Sequence, residues 1–255
     1  MKLFKSFPEE KKPERESGEE AKKYNLEQFA EIEKSTISLV GQLKERIDRG
    51  EYDTLISDDA SGRMHALVLR KIINERNRKL HPELPPEETD IKTRFVAGGR
   101  HSGEITKKLM DFFQKLKPEV KKKALLVTEY IETGGSIAWL ARLLSDAGIE
   151  FDIAADSSRQ SSKSYNDFSA LRDKKIFIGE EKTQRMTVPP FYGKKDISGV
   201  EKSYLEPSAH PELIEKLRKR GTAAGIIQRE KIKQGREDVN TLANKVLKTI
   251  WGQGQ

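Results

Sequence analysis

The chain has 255 residues, 35% of them hydrophobic and 35% charged, with a formal net charge of +7 and no cysteine. The lack of cysteine excludes disulfides, thiolate zinc sites and cysteine nucleophiles. No apolar run approaches the roughly 18 residues needed to cross a bilayer. The N-terminus, MKLFKSFPEEKKPERESGEEAKK, has no apolar core of a secretory signal, so a cytoplasmic protein with no membrane partner is expected.

Residues 1–23 are charged, contain Pro8 and Pro13 and show little periodicity. They read as a flexible tail. Asn25 is placed to open a helix, with Gln28 three residues on as its capping-box partner. Phe29, Ile32, Thr36, Val40, Leu43 and Ile47 recur at helical spacing, and Gly50 ends the run. Tyr52–Ser57 predicts the first strand, followed by the loop Asp58–Arg63 and a helix marked by Met64, Leu67, Val68 and Ile72. Residues 79–90 form a proline-rich connection. Ile91–Ala97 predicts the second strand, with Gly98–Ser102 as its exit loop and a helix through Ile105, Leu109, Phe113 and Leu116. Ala124–Val127 is an apolar run of strand length, then a polar turn, then a helix marked by Ile137, Leu140, Leu143 and Leu144. Phe151–Ala155 and Lys175–Ile178 complete the set. Strands alternating with helices call for an α/β fold, a doubly wound parallel sheet of about five strands with helical N- and C-terminal additions.

Beyond residue 181 the strand signals stop. Residues 183–209 are irregular and rich in proline and glycine, which is long for a structureless loop. Residues 211–220 and 222–234 read as two helices split by Gly221, and Val239, Leu242, Ala243, Val246, Leu247 and Ile250 as an amphipathic third. Three parts are expected: the tail at 1–23, a core at 24–181, and an extension at 182–255 serving as hood or oligomer contact. The apolar face of the last helix must dock on the core or on a second copy of the chain, a candidate homodimer. Residues 182–255 hold 15 Lys/Arg against 8 Asp/Glu, while residues 1–181 hold 33 of each. The basic excess is either a solvated helical surface or a face for nucleic acid.

In a doubly wound sheet, ligands bind outside the C-terminal ends of the strands. Three polar loops share that edge here: 58–63, 98–102 and 128–136. The third reads Thr128, Glu129, Tyr130, Ile131, Glu132, Thr133, Gly134, Gly135, Ser136. Its small residues stand at a helix N-terminus, where free N–H groups and the helix dipole suit a phosphate. Glycines let the backbone approach an anion closely. The first loop offers Ser61 and Gly62 as N–H donors and Arg63 as a forked cation for phosphate oxygens. The same residues also read as a helix N-terminus rich in capping residues.

The stretch Ala124–Ser136 resembles the PRPP-binding motif of type I phosphoribosyltransferases. That motif has four apolar residues, two acids, two apolar residues, a variable position and Thr-Gly-Gly-Thr/Ser. The resemblance covers roughly residues 50–180. It implies a ligand, phosphoribosyl pyrophosphate (PRPP) or another ribose phosphate, whose 5-phosphate is held by Thr133, Gly134, Gly135 and Ser136. Glu129 would meet the ribose hydroxyls, with Thr128 at the position where the family has its first acid. Glu132 stands where some members carry a general base for the acceptor. Ser61, Gly62, Arg63 and Arg100 would meet the pyrophosphate, and Asp58 and Asp59 would reach it through Mg²⁺. The implied activity is Mg²⁺-dependent transfer of the phosphoribosyl group to a nitrogenous base, releasing pyrophosphate. The alternative is a non-catalytic regulator of the same fold that senses a nucleotide or binds nucleic acid through 182–255. Thr128, and the direct passage of GGRHSG into a helix without a longer lid, favour that alternative. Phe191, Tyr192 and Tyr204 in the hood would stack on a base or anchor the loop.

Overall fold

The computed structural model describes residues 24–58, 61–96, 103–159, 169–183, 189–192, 194–199 and 223–252. The expectations for the tail at 1–23, for Asp59, for the loop 98–102 with Arg100, for Tyr204 and for a helix over 211–220 lie outside these residues.

The chain runs α1 (Glu27–Asp48), β1 (Tyr52–Asp58), α2 (Ser61–Leu80), the single turn α3 (Pro86–Thr89), β2 (Lys92–Val96), α4 (Gly103–Leu116), β3 (Lys123–Ile131) and α5 (Gly135–Asp146). It continues through β4 (Phe151–Arg159), α6 (Ser169–Arg172), β5 (Ile176–Lys182), α7 (Lys195–Ser198) and α8 (Ala223–Trp251). The five strands form one sheet in the order β2-β1-β3-β4-β5, and every neighbouring pair is parallel. This is the doubly wound α/β sheet that the alternation of elements predicts.

The central strands carry apolar side chains on both faces, as strands covered by helices on each side must. Leu125 and Val127 of β3 and Ala154 of β4 join one core with α1, α2 and α8. Ala124 and Leu126, with Ile153 and Ala155, join the other with α4 and α5. The edge strand β2 is more polar and mostly half-buried. β3 and β4 outrun β1: Leu55–Ser57 pair with Leu125–Val127, whereas Tyr130 and Ile131 pair only with Ser157 and Ser158. Polar residues at the ends of these strands read as loop, yet they continue the ladder.

The C-terminal helix is part of the first core. The segments read as two helices from residue 222 onward form the single helix α8, and Val239, Leu242, Ala243, Val246 and Leu247 are buried against α1 and α2. At roughly 1.5–3 kcal/mol for each fully buried valine or leucine, this docking is a major contribution. α8 also caps α1. The expected Asn25–Gln28 box does not form: the helix begins after Leu26 with no local side-chain cap. Asp238 instead accepts the backbone N–H groups of Asn25 at 3.0 Å and Leu26 at 2.8 Å. Among the described residues no helix is long and apolar enough to cross a membrane.

Candidate functional site

The strand order reverses between β1 and β3, and in such sheets this switch point opens a crevice at the C-terminal edge. The loop leading from β1 into α2 and the turn from β3 into α5 flank it. Each of their residues is placed by a different local constraint.

Gly62 lies in the first turn of α2. A Cβ there would stand 2.7 Å from the Ser57 hydroxyl and 3.1 Å from the Val127 carbonyl oxygen. The glycine therefore lets α2 press against β1 and β3, and its backbone is buried. Arg63 does not stand free as a forked cation: it is 9% exposed, and its guanidinium lies 3.8 Å from the ring centroid of Phe95 on β2. Cation–π stacking holds it on the edge strand. Ser61 opens α2, and Asp58 ends β1 half-buried, its carbonyl accepting the Ser57 hydroxyl at 3.3 Å.

The β3–α5 turn is open to solvent. Thr133, Gly135 and Ser136 are exposed, and Gly134 adopts φ +83° as the N-cap of α5. That left-handed conformation favours glycine. No side chain caps the helix, and the nearest candidate is distant: the Gly135 N–H points to the Thr133 hydroxyl at 3.5 Å. The first N–H groups of α5 have no intrahelical acceptor, so the turn presents donors, two hydroxyls and the positive end of a 12-residue helix. Glu132 sits beside it, half-buried.

Thr128 and Glu129 belong to the extended part of β3 rather than to a loop. Thr128 is 7% exposed and follows Ala124 and Leu126 on the strand's α4/α5 side. Glu129 follows Leu125 and Val127 into the opposite helix layer and is 1% exposed. Its Oε1 accepts the backbone N–H of Phe191 and lies 3.8 Å from His65 Nε2 on α2, an ion-pair distance rather than a hydrogen bond. On its other side, His65 Nδ1 is 3.6 Å from Asp156 Oδ1 on β4. Asp156 accepts the Ser35 hydroxyl at 2.7 Å and the Thr36 hydroxyl at 3.3 Å, both on α1. The Phe191 ring closes the cluster edge-on, 5.1 Å from Phe29 and 5.5 Å from His65 between centroids. Oε1 of Glu129 is thus drawn into a buried network, while its Oε2 is buried with no hydrogen-bond partner among the described residues.

Burial alone would lower the pKa of His65, but the carboxylates of Asp156 and Glu129 outweigh it and hold the imidazole above its ordinary value. Burial pushes Asp156 up, with Glu129 adding to the rise, against the opposing pull of His65, Ser35 and Thr36. A protonated imidazole between two carboxylates is what this arrangement favours.

Sequence reasoning missed His65, Asp156 and Ser35. A usable signal was present: Asp152 and Asp156 flank the apolar run Ile153–Ala155, four residues apart and on one face of the strand. Buried acids of that kind need partners. Asp152 finds its own in Tyr52, Arg46 and Lys123. Phe191 is an anchor, whereas Tyr192 is 64% exposed.

Among the described residues no three His, Asp or Glu side chains cluster so as to hold a metal ion. Of the two residues expected to reach magnesium, Asp58 ends β1 half-buried and Asp59 lies outside the described residues.

No protein-family model matches the chain, and no curated protein matches its sequence. Among solved structures, the hypoxanthine-guanine phosphoribosyltransferase of Schistosoma mansoni, in complex with IMP, is similar over 64% of this chain and 69% of its own. The TM-score is 0.36 and the identity 17%. A likeness so distant carries no argument about the site.

Proposed function

We propose that this chain is a phosphoribosyltransferase-like protein that binds a ribose phosphate, PRPP or ribose 5-phosphate, at the switch point between β1 and β3. The observation that carries it is the uncapped N-terminus of α5, where exposed Thr133, Gly135 and Ser136 surround a left-handed Gly134. Free N–H groups, hydroxyls and the helix dipole converge there on a site suited to the 5-phosphate. Any Mg²⁺ would arrive with the phosphate oxygens of the ligand and meet Asp58 or Asp59 only indirectly.

Transfer of the phosphoribosyl group to a nitrogenous base, with release of pyrophosphate, is the activity this binding would serve. Glu132 is then the candidate base for the acceptor, and the protein's contribution is mainly placement of the reactants. The non-catalytic reading draws support from a specific observation: Glu129, the one carboxylate at the motif's two acid positions, faces His65 and Phe191 rather than the crevice. A protein that holds the phosphate and lacks a ribose carboxylate is better equipped to sense a ribose phosphate than to turn it over.

Release of pyrophosphate from PRPP, followed with a panel of bases, separates the two. A transferase gives base-dependent release that Glu132→Gln reduces. A sensor binds PRPP with no release at all. Salt-dependent binding of nucleic acid, lost on replacing the exposed Lys233 and Lys248 of the basic segment 182–255 with glutamine, would extend the sensor reading to a nucleic-acid partner.

A further inference from the structure

A cleft of about 550 Å³ opens away from the switch point. Its walls are the C-terminal half of α2, the middle of α8 and Asp90–Ile91 leading into β2. From Ser61 to Asn74 α2 rises about 20 Å, so cleft and switch point lie toward opposite ends of that helix.

The donors and acceptors of this cleft are unevenly spent. Arg70, Asn74 and Arg78 stand on one face of α2 at four-residue spacing. Arg78 forks onto Asp90, through Nε at 2.9 Å and Nη2 at 2.6 Å. Lys71 holds Glu75 at 2.8 Å. Both acids of the lining are therefore engaged. Arg70 makes no hydrogen bond or ion pair with another described residue. Asn74 Oδ1 accepts the Ile91 N–H at 2.9 Å. That bond fixes the plane of the amide and leaves its NH₂ without an acceptor among the described residues. Arg236 reaches the same cleft from α8. The fold brings two guanidiniums from separate helices to one cavity.

We propose that this cleft is an anion site, taking the phosphate group of a compact phosphorylated metabolite between Arg70 and Arg236, with the Asn74 amide as a neutral donor. A tetrahedral oxyanion has the acceptors that two forks and an amide can satisfy together. The volume suits a small molecule. Glu75 and Asp90 on the rim disfavour a continuous chain of phosphates, and no lining residue is aromatic, so bases find nothing to stack on.

Calorimetric titration of the full chain with inorganic pyrophosphate, without magnesium, tests this. Saturable binding is expected, weakened about tenfold or more in Arg70→Gln and in Arg236→Gln. Arg70→Lys, which keeps the charge and loses the fork, should fall between. Lys107→Gln, which removes one exposed charge from α4, should bind like the parent and so separates contact from net charge. Arg70 is exposed and bonds to no other described residue, so its replacement should leave the thermal unfolding midpoint unchanged. Absence of saturable binding at millimolar pyrophosphate overturns the site, as does an affinity unchanged by both glutamine variants. A short single-stranded oligonucleotide that binds more tightly than pyrophosphate, with the same dependence on Arg70, overturns the assignment to a compact ligand.

Discussion

Glu129 and Thr133 are four residues apart in one motif, and they occupy opposite environments. Glu129 is sealed against His65 and Phe191, while Thr133 stands in solvent at the mouth of α5. The difference comes from where β3 ends. Pairing of Tyr130 and Ile131 with Ser157 and Ser158 keeps the chain extended past Glu129, and strand alternation turns its carboxylate into the α1/α2 layer. Only after Ile131 is the backbone free to turn, and Gly134 turns it. The glycine-rich half of this stretch therefore stays at the surface while its acidic half becomes part of the core.

The largest effect should come from the core half. Glu129→Ala removes the acceptor of the Phe191 N–H and one of the two carboxylates that balance His65. Breaking a buried charged network from one side should cost about 3 kcal/mol, read from urea unfolding. Glu129→Gln keeps an acceptor for Phe191 and should cost less. If Glu129→Ala is as stable as the parent, the carboxylate is not committed to the core and the contrast with Thr133 fails.

Gly62→Ala comes next. Its methyl group would meet Ser57 and Val127 at distances that force α2 away from the sheet, at about 2 kcal/mol. Asp238→Ala uncaps α1 and should cost about 1 kcal/mol. Both should lower the unfolding midpoint without touching the α5 N-terminus, so ligand binding there should survive.

Acidity offers a finer probe of the buried half. His65 holds its proton above the ordinary value of 6.5 in the folded chain. The unfolded chain releases that proton first, so this contribution is complete below about pH 6.5 and is lost as pH rises through the folded value. Asp156, also raised, acts with the same sign above its ordinary 3.8. Stability measured from pH 6 upward should decline, and His65→Gln should flatten the decline above about pH 6.5. A rise in stability over that range would contradict a protonated His65.

Much of the fold was legible because central parallel strands must be apolar on both faces: Leu125–Val127 and Ile153–Ala155 declare themselves in the sequence. The ends of β3, β4 and β5 did not, since residues such as Ser157 and Glu180 have loop-like composition and are held only by their neighbours in the ladder. The cap of α1 was illegible for a related reason: its acceptor, Asp238, is over 200 positions away. The Thr133–Ser136 turn was readable from local chemistry alone. The direction of Glu129 and the stacking of Arg63 on Phe95 depend on register and on an edge strand, which no local pattern encodes.

On the exposed half, Thr133→Ala should weaken a bound phosphate only a few-fold, since backbone N–H groups and the dipole remain. The most direct test of the account is calorimetric titration with ribose 5-phosphate, set beside ribose and beside a Ser136→Glu variant that places a negative charge in the cradle. Saturable binding of ribose 5-phosphate, none of ribose, and loss of binding in Ser136→Glu at an unchanged unfolding midpoint is the predicted result. Absence of saturable binding to the parent protein at millimolar ligand, or an affinity indifferent to Ser136→Glu, would contradict it.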